Sequence, residues 1–461
     1  MINFTHAIKV TVDFMLRTNL LLRSGSAGDF TDSTIEKTPN KNCLHVNGYV
    51  WSSILRRAMD RLKGYEKITA SIGKYDYPEE RGKYDYPEER GVSPFWFESS
   101  LVPLPNTDVR PGIKIDRKHG VNVIGALFND EIVPPGLPLK MRFTCFCGAS
   151  DMERIKAAVQ TALWVVHDGI ENIGGGWSYG YGRLEVTGLR EKTLDLREKD
   201  KRKLLWVDEE KGYSELLILK PADSEILRQW KKISVKARVS DGQLLGIHSP
   251  HPLSADYAGI NHLPDTFAFR RYRFNPAGTL EPEYAVPGKA IRQGIFSVPI
   301  ERKLRTKGEA ICETPAEYCT CPDCIDYRKE TGNKGRNPNC KCKCMRCAWF
   351  GSTESGGIIA VTDGVFTDLT KTGKPETVVL NRQQLCEHSM QNIQLFSGEY
   401  LKQGIFTFEI YIDIANSESS PDLQREVISI LEEAKGNNSP PGWHRIGGTS
   451  TCTGQVSVIE Y

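Results

Sequence analysis

The chain has 461 residues, of which 39% are hydrophobic and 26% are charged, and its formal net charge is +2. A chain of this length is expected to form two domains, each large enough to bury its own core. A charge so close to neutral argues against a protein that holds nucleic acid by net charge alone, although it permits local basic faces. No apolar run approaches the roughly 18 residues of a membrane span. Residues 1–16 alternate like a strand and lack the apolar core of a signal peptide, so we expect a cytoplasmic protein with no membrane contact.

The first half opens with a predicted strand and a predicted helix. Apolar and polar residues alternate over residues 7–16, which is typical of a strand. A polar loop with Asp29 and Asp32 comes next, followed by a helix whose entrance is Gly48. The apolar residues of this helix fall at helical spacing: Val50, Ile54, Ala58 and Leu62. Its arginines fall on the other side: Arg56, Arg57 and Arg61. The N–H groups at Gly48 are placed to hold a phosphate, and an ordinary amphipathic helix with solvated arginines is the alternative.

Three further patterns precede the second helix. Residues 73–90 contain one nine-residue motif twice in tandem, and their polar composition with Pro and Gly predicts an elongated surface loop. A β pattern over residues 100–143 encloses a basic, hairpin-like excursion at residues 110–120. Ser150 and Glu153 form a capping-box pattern, which predicts the start of a helix that leads to the next segment.

Residues 173–183 are rich in glycine, which occupies five of the eleven positions. Glycine at this density permits positive φ and a close approach of another backbone. Aromatic and cationic residues interleave with it: Trp177, Tyr179, Tyr181 and Arg183. A dinucleotide-binding loop would follow a strand and open a helix, whereas this segment follows a predicted helix and opens a strand. We therefore interpret it as a loop that holds a nucleic-acid strand; a glycine-rich turn with surface aromatics is the alternative.

The second half repeats the motifs of the first in the same order. A strand is predicted near residues 233–239, a glycine at a helix entrance at Gly288, and a helix from Ser420 with Pro421 at its first turn. Another glycine segment begins at Ile446 and contains Gly447 and Gly448. The repeated order predicts an α+β fold with two tandem ferredoxin-like domains. The predicted boundaries are 1–190 for the first domain, 191–230 for a linker and lead-in, and 231–461 for the second domain.

Eight of the thirteen cysteines lie in residues 312–347. Such clustering indicates a metal site in a reducing compartment. Two pairs have the x2 spacing of tetrahedral zinc sites, and the predicted ligands are Cys321, Cys324, Cys344 and Cys347. Other cysteines interleave and are possible ligands: Cys319, Cys340 and Cys342. A closed four-sulfur site leaves no open coordination position, so the zinc is expected to be structural. An unrelated zinc-dependent hydrolase would need mixed His and carboxylate ligands, which this cluster lacks.

The repeated motifs resemble the RAMP (repeat-associated mysterious protein) superfamily, and more closely the backbone subunits of type III CRISPR effector complexes. In the first half the likeness rests on residues 31–36, on the helix start at Gly48 and on residues 174–183; residues 113–120 resemble the family's thumb hairpin. In the second half it rests on Val286-Pro-Gly and on Cys344-Met-Arg-Cys-Ala-Trp-Phe-Gly, which resembles the family's zinc knuckle. The first helix start departs from the family's Ile-Pro-Gly. The second glycine loop matches the family's glycine loop less well than the first one does. Two fused units further suggest the III-D variant.

The resemblance implies a chain that binds guide RNA, presents it to a complementary target RNA and cuts the target beside each thumb. It also implies assembly with other type III effector subunits, including further backbone subunits and a polymerase-like large subunit. The implied catalytic residues are Asp32 and Asp265, with Asp29 and Asp256 as fallbacks, and Mg²⁺ or another divalent ion would assist them. The implied RNA-binding residues are Gly48, Ser52, Arg56, Lys114, Arg117, Lys118, Gly174, Gly175, Gly176, Tyr179, Gly180, Arg183, Gly288, Lys289, Arg292, Gly447 and Gly448.

Two alternatives remain within the same superfamily. One is a scaffold that holds guide and target RNA without cutting. The other is an endonuclease that processes the guide precursor; such enzymes usually depend on a catalytic histidine and work alone, so the duplicated unit argues against this alternative.

Overall fold

A computed structural model describes residues 4–25, 32–40, 42–72, 93–104, 106–115, 122–207, 212–249, 267–308, 311, 327, 329–331, 345–351, 357–367, 376–385, 393–414, 420–435, 444–446 and 454–461. The elements of the first half are β1 His6–Leu16, β2 Cys43–Val46, α1 Gly48–Met59, α2 Glu66–Ser71, β3 Phe95–Phe97, β4 Ser100–Pro103, β5 Asp108–Ile115, β6 Asn122–Ile132, β7 Pro138–Cys147, α3 Met152–Asp168, β8 Leu184–Asp195, α4 Lys199–Lys203 and β9 Ser214–Glu215.

The second half follows with β10 Trp230–Val239, β11 His248–Ser249, β12 Phe267–Ala268, β13 Arg270–Phe274, β14 Leu280–Val286, α5 Gly288–Ile291, a π-helix at Arg292–Ser297, α6 Val298–Thr306, α7 Met345–Phe350, β15 Ile359–Val361, β16 Gly364–Phe366, β17 Glu376–Leu385, β18 Ile393–Gln403, β19 Ile405–Asp413, α8 Ser420–Glu433 and β20 Val456–Glu460. No helix in these described parts of the chain is both long enough and apolar enough to cross a membrane.

Two antiparallel sheets organise the two halves, which confirms the α+β class. The first has the strand order β3-β7-β1-β8-β9, and the second has the order β13-β14-β16-β19-β10-β20, with β15 also paired to β19. In the first sheet β1 lies between β7 and β8, the strands before and after α3. In the second sheet β10 lies between β19 and β20, the strands before and after α8. The hairpin β5–β6 comes directly before β7 in the chain, and the hairpin β17–β18 comes directly before β19, so the two hairpins have equivalent positions. Each sheet has a large core of its own.

The strand predicted at residues 7–16 is confirmed as β1, and most of its residues are buried because both faces of the strand are covered. One face packs on α1, where Trp51 stacks on Phe14 with 5.7 Å between the ring centroids. The other face lies under the segment after β8. The ammonium of the buried Lys9 donates to three backbone carbonyls there: Leu204 at 3.4 Å, Leu205 at 3.3 Å and Val207 at 3.2 Å. The predicted boundary at residue 190 falls inside β8, so the first sheet extends into residues predicted as linker.

The helix starts were predicted with mixed success. Helix α1 begins at Gly48 as predicted, and the side chain of Asn47 caps it by accepting from the Tyr49 amide at 3.3 Å. The capping box predicted at Ser150 is wrong: a 3₁₀ turn covers residues 149–151, and α3 starts at Met152 without a side-chain cap bond. Arg61, predicted on a solvated face, is only 4% exposed because it follows the helix end and turns toward the second half.

Candidate nucleic-acid interface

The first glycine loop, residues 173–183, is a compact turn that is anchored at both ends. Its ends join through the Ile173 amide, which donates to the Gly182 carbonyl at 2.9 Å, and the Gly175 amide donates to the Leu21 carbonyl at 2.8 Å. Gly182 has φ +72°, and a Cβ there would lie 2.0 Å from the Ile173 carbonyl oxygen, so only glycine closes this turn. The loop therefore lies against the segment that follows β1.

Arg183, predicted as a surface cation for RNA, is instead a buried residue of this loop. Its side chain is 1% exposed, and its guanidinium donates to the Ile170 carbonyl at 2.9 Å. The guanidinium carbon lies 4.4 Å from the ring centroid of Tyr411, which belongs to β19 of the second half. Burial lowers the pKa of Arg183 to about 10, against a smaller opposing effect of Tyr411. This contact joins the two halves and removes Arg183 from any RNA-facing surface.

The tip of the glycine loop packs directly on the second half. Gly180 has φ +71°, and a Cβ at this position would lie 2.6 Å from the Thr362 Cα. Thr362 connects β15 to β16, so the first loop meets the second sheet at this turn. The neighbouring Tyr179 is half-buried and projects toward the helical segment that begins at Gly288.

Lys289 of α5 lies between two aromatic rings that the first half supplies. Its ammonium is 4.4 Å from the ring centroid of Tyr179 and 5.2 Å from that of Phe128 on β6. Within the described residues Lys289 makes no hydrogen bond or ion pair. Burial lowers its pKa; Asp130 and Asp363 oppose this shift, while two arginines, Arg110 and Arg23, add to it. Among the described residues, the half-buried ammonium is therefore held by aromatic rings and not by a direct carboxylate contact.

Arg292, the other predicted cation of this helical segment, lies in the π-helix. Its guanidinium carbon is 6.0 Å from the Tyr179 ring centroid and 5.4 Å from that of Phe350. One of its terminal nitrogens donates to the Phe350 carbonyl. Arg292 therefore flanks the same ring as Lys289, but with part of its hydrogen-bonding capacity used by α7.

The two helix entrances, Gly48 and Gly288, are built alike. The Gly48 amide donates to the Ser99 hydroxyl at 3.2 Å, and a Cβ on Gly48 would lie 2.5 Å from the Phe97 carbonyl oxygen. The Gly288 amide donates to the Asp363 carboxylate at 2.8 Å, and a Cβ on it would lie 2.4 Å from the Val361 carbonyl oxygen. Both glycines are required by the close approach of a neighbouring strand. At Gly288 the amide hydrogen predicted for a phosphate is held by a carboxylate of the chain itself.

Asp363, which sequence reasoning missed, joins residues of both halves. Its buried carboxylate accepts from the Asn19 side chain at 2.9 Å and lies 3.6 Å from a terminal nitrogen of Arg110. A terminal nitrogen of Arg271 lies 3.9 Å away. Burial alone would lower the pKa of Arg110, but the charges of Asp363 and Asp108 raise it above the ordinary arginine value. No local motif marks Asp363, because its partners lie far away in the sequence.

A second buried ion cluster lies at the end of α1. Arg61 donates to Glu171 at 2.5 Å and to Asp413 of β19 at 3.0 Å. Arg57 adds a contact to Glu171 at 2.9 Å, and Arg228 adds one to Asp413 at 2.7 Å. Burial alone would raise the pKa of Glu171, but Arg61 and Arg57 lower it below the ordinary value. The orientation of the two halves is therefore held by paired charges as well as by the glycine loop.

Asp32 lies at the base of the β5–β6 hairpin and is exposed. Its backbone amide donates to the Asn129 carbonyl at 2.9 Å, and one of its carboxylate oxygens accepts from the Asn129 amide at 2.7 Å. The backbone of the next residue, Ser33, forms an isolated β-bridge with that of Asp130. The Asp130 carboxylate forms a salt bridge with Arg23 at 3.2 Å. The carboxylate is therefore fixed in direction by one hydrogen bond and remains open to solvent.

The other predicted site residues divide into described and undescribed positions. Ser52 donates to the Tyr49 carbonyl at 2.9 Å, Arg56 is half-buried on α1, Lys114 belongs to β5, and Cys347 belongs to α7. Gly174 and Gly176 have positive φ within the glycine loop. The remaining positions lie outside the described residues: Asp29, Arg117, Lys118, Asp256, Asp265, Cys319, Cys321, Cys324, Cys340, Cys342, Cys344, Gly447 and Gly448.

Comparison with protein families gives a match that falls on this region. The RAMP superfamily model matches residues 26–185, about a third of the chain, from the loop before Asp32 to the end of the first glycine loop. No curated protein matches the chain significantly. The match supports membership of the RAMP superfamily, and a RAMP domain implies a CRISPR-associated RNA-binding protein.

Proposed function

From the RAMP superfamily membership that residues 26–185 support, we propose that this chain is a backbone subunit of a type III CRISPR ribonucleoprotein, of the III-D variant. It binds guide RNA, presents the guide for pairing with a target RNA and cleaves the bound target. Because base pairing with the guide selects the sequence, the protein needs contacts to the RNA backbone and shape only. Its partners are guide RNA, target RNA, further backbone subunits and a polymerase-like large subunit.

The observation that carries the RNA-binding proposal is the position of Lys289 beside Tyr179. The Lys289 ammonium lies over one face of the Tyr179 ring, so a base would stack on the opposite face while the ammonium neutralises a phosphate. The ring comes from the first half and the ammonium from the second, 4.4 Å apart. A strand of RNA bound here therefore contacts both halves at one nucleotide.

The sheet topology supports a chain of two ferredoxin-like RAMP units, whose sheets run from β1 to β9 and from β10 to β20. The central strands β1 and β10 have equivalent neighbours in the two sheets. The hairpins β5–β6 and β17–β18 precede equivalent strands, β7 and β19, and we assign both hairpins as thumbs. A thumb displaces a base of the guide–target duplex, at a cost of a few kcal/mol per unstacked base.

For cleavage we assign Asp32 in the first unit and Asp265 in the second. Asp32 accepts the proton of the target's 2′-hydroxyl; the 2′-oxygen bonds to phosphorus, the bond from phosphorus to the 5′-oxygen breaks, and the 5′-oxygen takes a proton from water. One oxygen of Asp32 is held by Asn129 and the side chain is exposed, which suits Mg²⁺, a cation that usually takes one or two carboxylates together with substrate phosphates. Bound there, Mg²⁺ would neutralise charge that develops on the phosphate.

We also propose a structural zinc in residues 312–347, with Cys321, Cys324, Cys344 and Cys347 as ligands. Thiolate ligands with x2 spacing suit tetrahedral zinc. Cys347 lies two residues before Trp349, which is fully buried and packs α7 on the second core. Zinc bound by Cys347 would thus fix the insert to the second unit.

The test is cleavage of an end-labelled, guide-complementary RNA by the reconstituted complex, with Mg²⁺ and then with EDTA. Asp32→Asn keeps the size of the side chain and removes its basicity, so we expect it to abolish one product. Asp265→Asn should abolish the other, and both variants should bind target RNA as the wild type does. An unchanged product ladder in both variants and in the double variant would leave the non-catalytic scaffold as the function.

A further inference from the structure

The second sheet leaves part of β10 without a strand on one side. Both β1 and β10 have a β-bulge where they pair with the strand after the last helix, between residues 13 and 14 of β1 and between residues 236 and 237 of β10. Beyond this bulge β8 stays paired with β1 as far as His6. Beyond the corresponding bulge β20 forms a single pair, between Glu460 and Lys236. In the part of the chain that the structure describes, residues 231–235 therefore pair with β19 alone.

The backbone groups on this open side of β10 belong to Lys232 and Ser234. The Ser240 amide donates to the carbonyl of Gln455, the residue before β20, at 3.1 Å. Since successive residues of a strand direct their N–H and C=O groups to opposite sides, the even-numbered residues of β10 face the β20 side. The N–H and C=O groups of Lys232 and Ser234 thus point out from the sheet edge, where no described strand pairs with them.

The first sheet fills the equivalent place with its own chain. Counted back from the two bulges, Lys232 corresponds to Lys9 and Ser234 corresponds to Thr11. Both Lys9 and Thr11 pair with β8, in the segment that continues past the bulge. In the first sheet, the place that is open beside β10 is therefore occupied by a strand.

A groove of about 570 Å³ runs along the open edge. Residues 231–236 of β10 line it consecutively, together with Ile428 of α8 and Tyr461 after β20. Because successive side chains point to opposite faces of a sheet, a groove that is lined by consecutive residues lies at the strand edge and reaches both faces. At about 3.3 Å per residue, residues 231–235 extend over roughly 16 Å, which is enough for a strand of about five residues.

The two faces beside the groove differ in character. Helix α8 packs on the face that carries Ile233 and Val235, and its Ile428 borders the groove with an apolar side chain. The opposite face carries Lys232 and Lys236. The ammonium of Lys232 pairs with Glu409 at 2.9 Å, whereas within the described residues the Lys236 side chain makes no hydrogen bond or ion pair. A strand added here would meet apolar surface on one face and a cation on the other.

The groove as a whole is basic. Three lysines line it, Lys231, Lys232 and Lys236, against one carboxylate, that of Glu460 at the end where β20 pairs. Lysines on a strand edge oppose pairing with an identical edge, which disfavours a second copy of this chain as the occupant. Opposite charges across neighbouring strands attract, which favours a strand with carboxylates.

We propose that the edge of β10 at residues 231–235 is a docking site for an extended, acidic segment of a partner protein. The segment adds a strand to the second sheet and pairs its main chain with Lys232 and Ser234, a mode of recognition known as β-strand addition. Its carboxylates lie on the face of Lys236 and its apolar side chains lie on the face of Ile428. This docking does not require the RNA binding proposed above.

Peptide titration of the full chain, in the absence of RNA, tests the docking site. The probe is a fluorescein-labelled peptide of alternating Glu and Val, about eight residues long, and its binding is measured by anisotropy. A matched peptide of alternating Lys and Val should bind at least about tenfold more weakly. Amide hydrogen exchange should show that residues 230–236 gain protection with the acidic peptide, while residues 6–12 of β1, which are already paired on both sides, do not change.

Two substitutions on β10 test the backbone and the charge separately. Ser234→Pro removes the outward amide hydrogen and should weaken binding of the acidic peptide about tenfold. Ser234→Thr keeps that hydrogen and suits a strand, so it should change the affinity less than about twofold. Ser234 is exposed, and the melting temperature shows whether each variant is folded. Lys236→Glu should weaken binding of the acidic peptide and strengthen binding of the basic one.

Three results would overturn the docking site. The first is no binding of the acidic peptide at about 1 mM, or equal binding of both peptides. The second is protection of residues 230–236 as strong as that of residues 6–12 in the chain alone, because another part of this chain would then cover the edge. The third is protection of residues 230–236 by RNA, which would make the groove an RNA contact. Because the peptide titrations contain no RNA, failure of the proposed function would leave their result unchanged.

Discussion

Arg61 donates both terminal nitrogens to the carboxylate of Asp413, a residue 352 positions further along the chain. The first residue lies just after the end of α1 and the second ends β19, so this pair ties the end of a helix in one half to the sheet of the other. The guanidinium also lies 5.7 Å from the ring of Trp230, at the start of β10. Both side chains are almost fully buried; Arg61 also pairs with Glu171, and Asp413 also pairs with Arg228.

Replacing Asp413 with alanine should therefore destabilise the chain strongly. Breaking a buried pair leaves Arg61 and Arg228 without this counter-ion, and such changes cost about 3–5 kcal/mol. Urea unfolding measures the free energy of unfolding of each variant. Asp200→Ala is the matched control, because Asp200 forms an i,i+3 pair with Lys203 in which its side chain is 92% exposed, and such pairs contribute about 0–1 kcal/mol. Equal losses in the two variants would contradict a role for the buried pair.

Gly180→Ala should destabilise the contact between the glycine loop and the second half. Gly180 and Gly278 have similar positive φ, +71° and +77°, but only Gly180 faces a close neighbour, Thr362. Gly278→Ala therefore measures the backbone strain alone, about 1–2 kcal/mol. Gly180→Ala should lose about 1–3 kcal/mol more, from steric overlap. Thermal or urea unfolding measures the loss of stability in each variant. A smaller loss for Gly180→Ala than for Gly278→Ala would contradict the close contact between the glycine loop and the second half.

Lys289→Gln should weaken RNA binding and flatten its salt dependence. Loss of one phosphate contact reduces the slope of log affinity against log salt by about 1. Tyr179→Leu should instead lose about 1–3 kcal/mol of stacking while keeping the slope. Anisotropy titrations at several salt concentrations separate the two effects. Lys199→Gln, a change at an exposed cation of α4 outside both hairpins and the glycine loop, serves as the control for charge alone; a similar loss there would show that only net charge matters.

The stability of the chain should fall at alkaline pH in part because of Cys147. Burial, together with the charge of Asp151, raises the pKa of this thiol from 9.0 to about 11, and Lys156 opposes the shift. The folded state holds the proton more tightly, so the contribution is complete below pH 9 and is lost as the pH rises toward about 11. Urea unfolding at several pH values should show a shallower fall for Cys147→Ala than for the wild type. Parallel curves for the two proteins would contradict the raised pKa.

Local sequence patterns predicted the elements that depend on neighbouring residues. The start of α1 at Gly48 and the turn at residues 173–183 follow from glycine placement, because backbone geometry and capping act within a few residues. The repeated order of motifs likewise anticipated the equivalent sheets. The residues that determine these features lie close to them in the sequence.

The contacts between the halves could not be predicted in this way. Arg183 and Arg61 look like solvated cations in sequence, since nothing nearby shows that Tyr411 and Asp413 will cover them. Asp363 lies 344 positions from its partner Asn19. Whether a charged residue faces solvent or a distant counter-ion depends on how the two sheets dock, and local periodicity contains no information on docking.

The three carbonyls that surround the Lys9 ammonium have a consequence for dissecting the chain. They belong to residues 204–207, which lie beyond the strand β8 and cover the second face of β1. A fragment cut at residue 190 would lose the last pairs of β8 with β1 and uncover a cation in the middle of an apolar sheet. Such a fragment would present an open strand edge and an unsatisfied charge, a combination that promotes self-association. The segment predicted as a linker and lead-in thus covers one face of the first sheet and belongs to its packed structure.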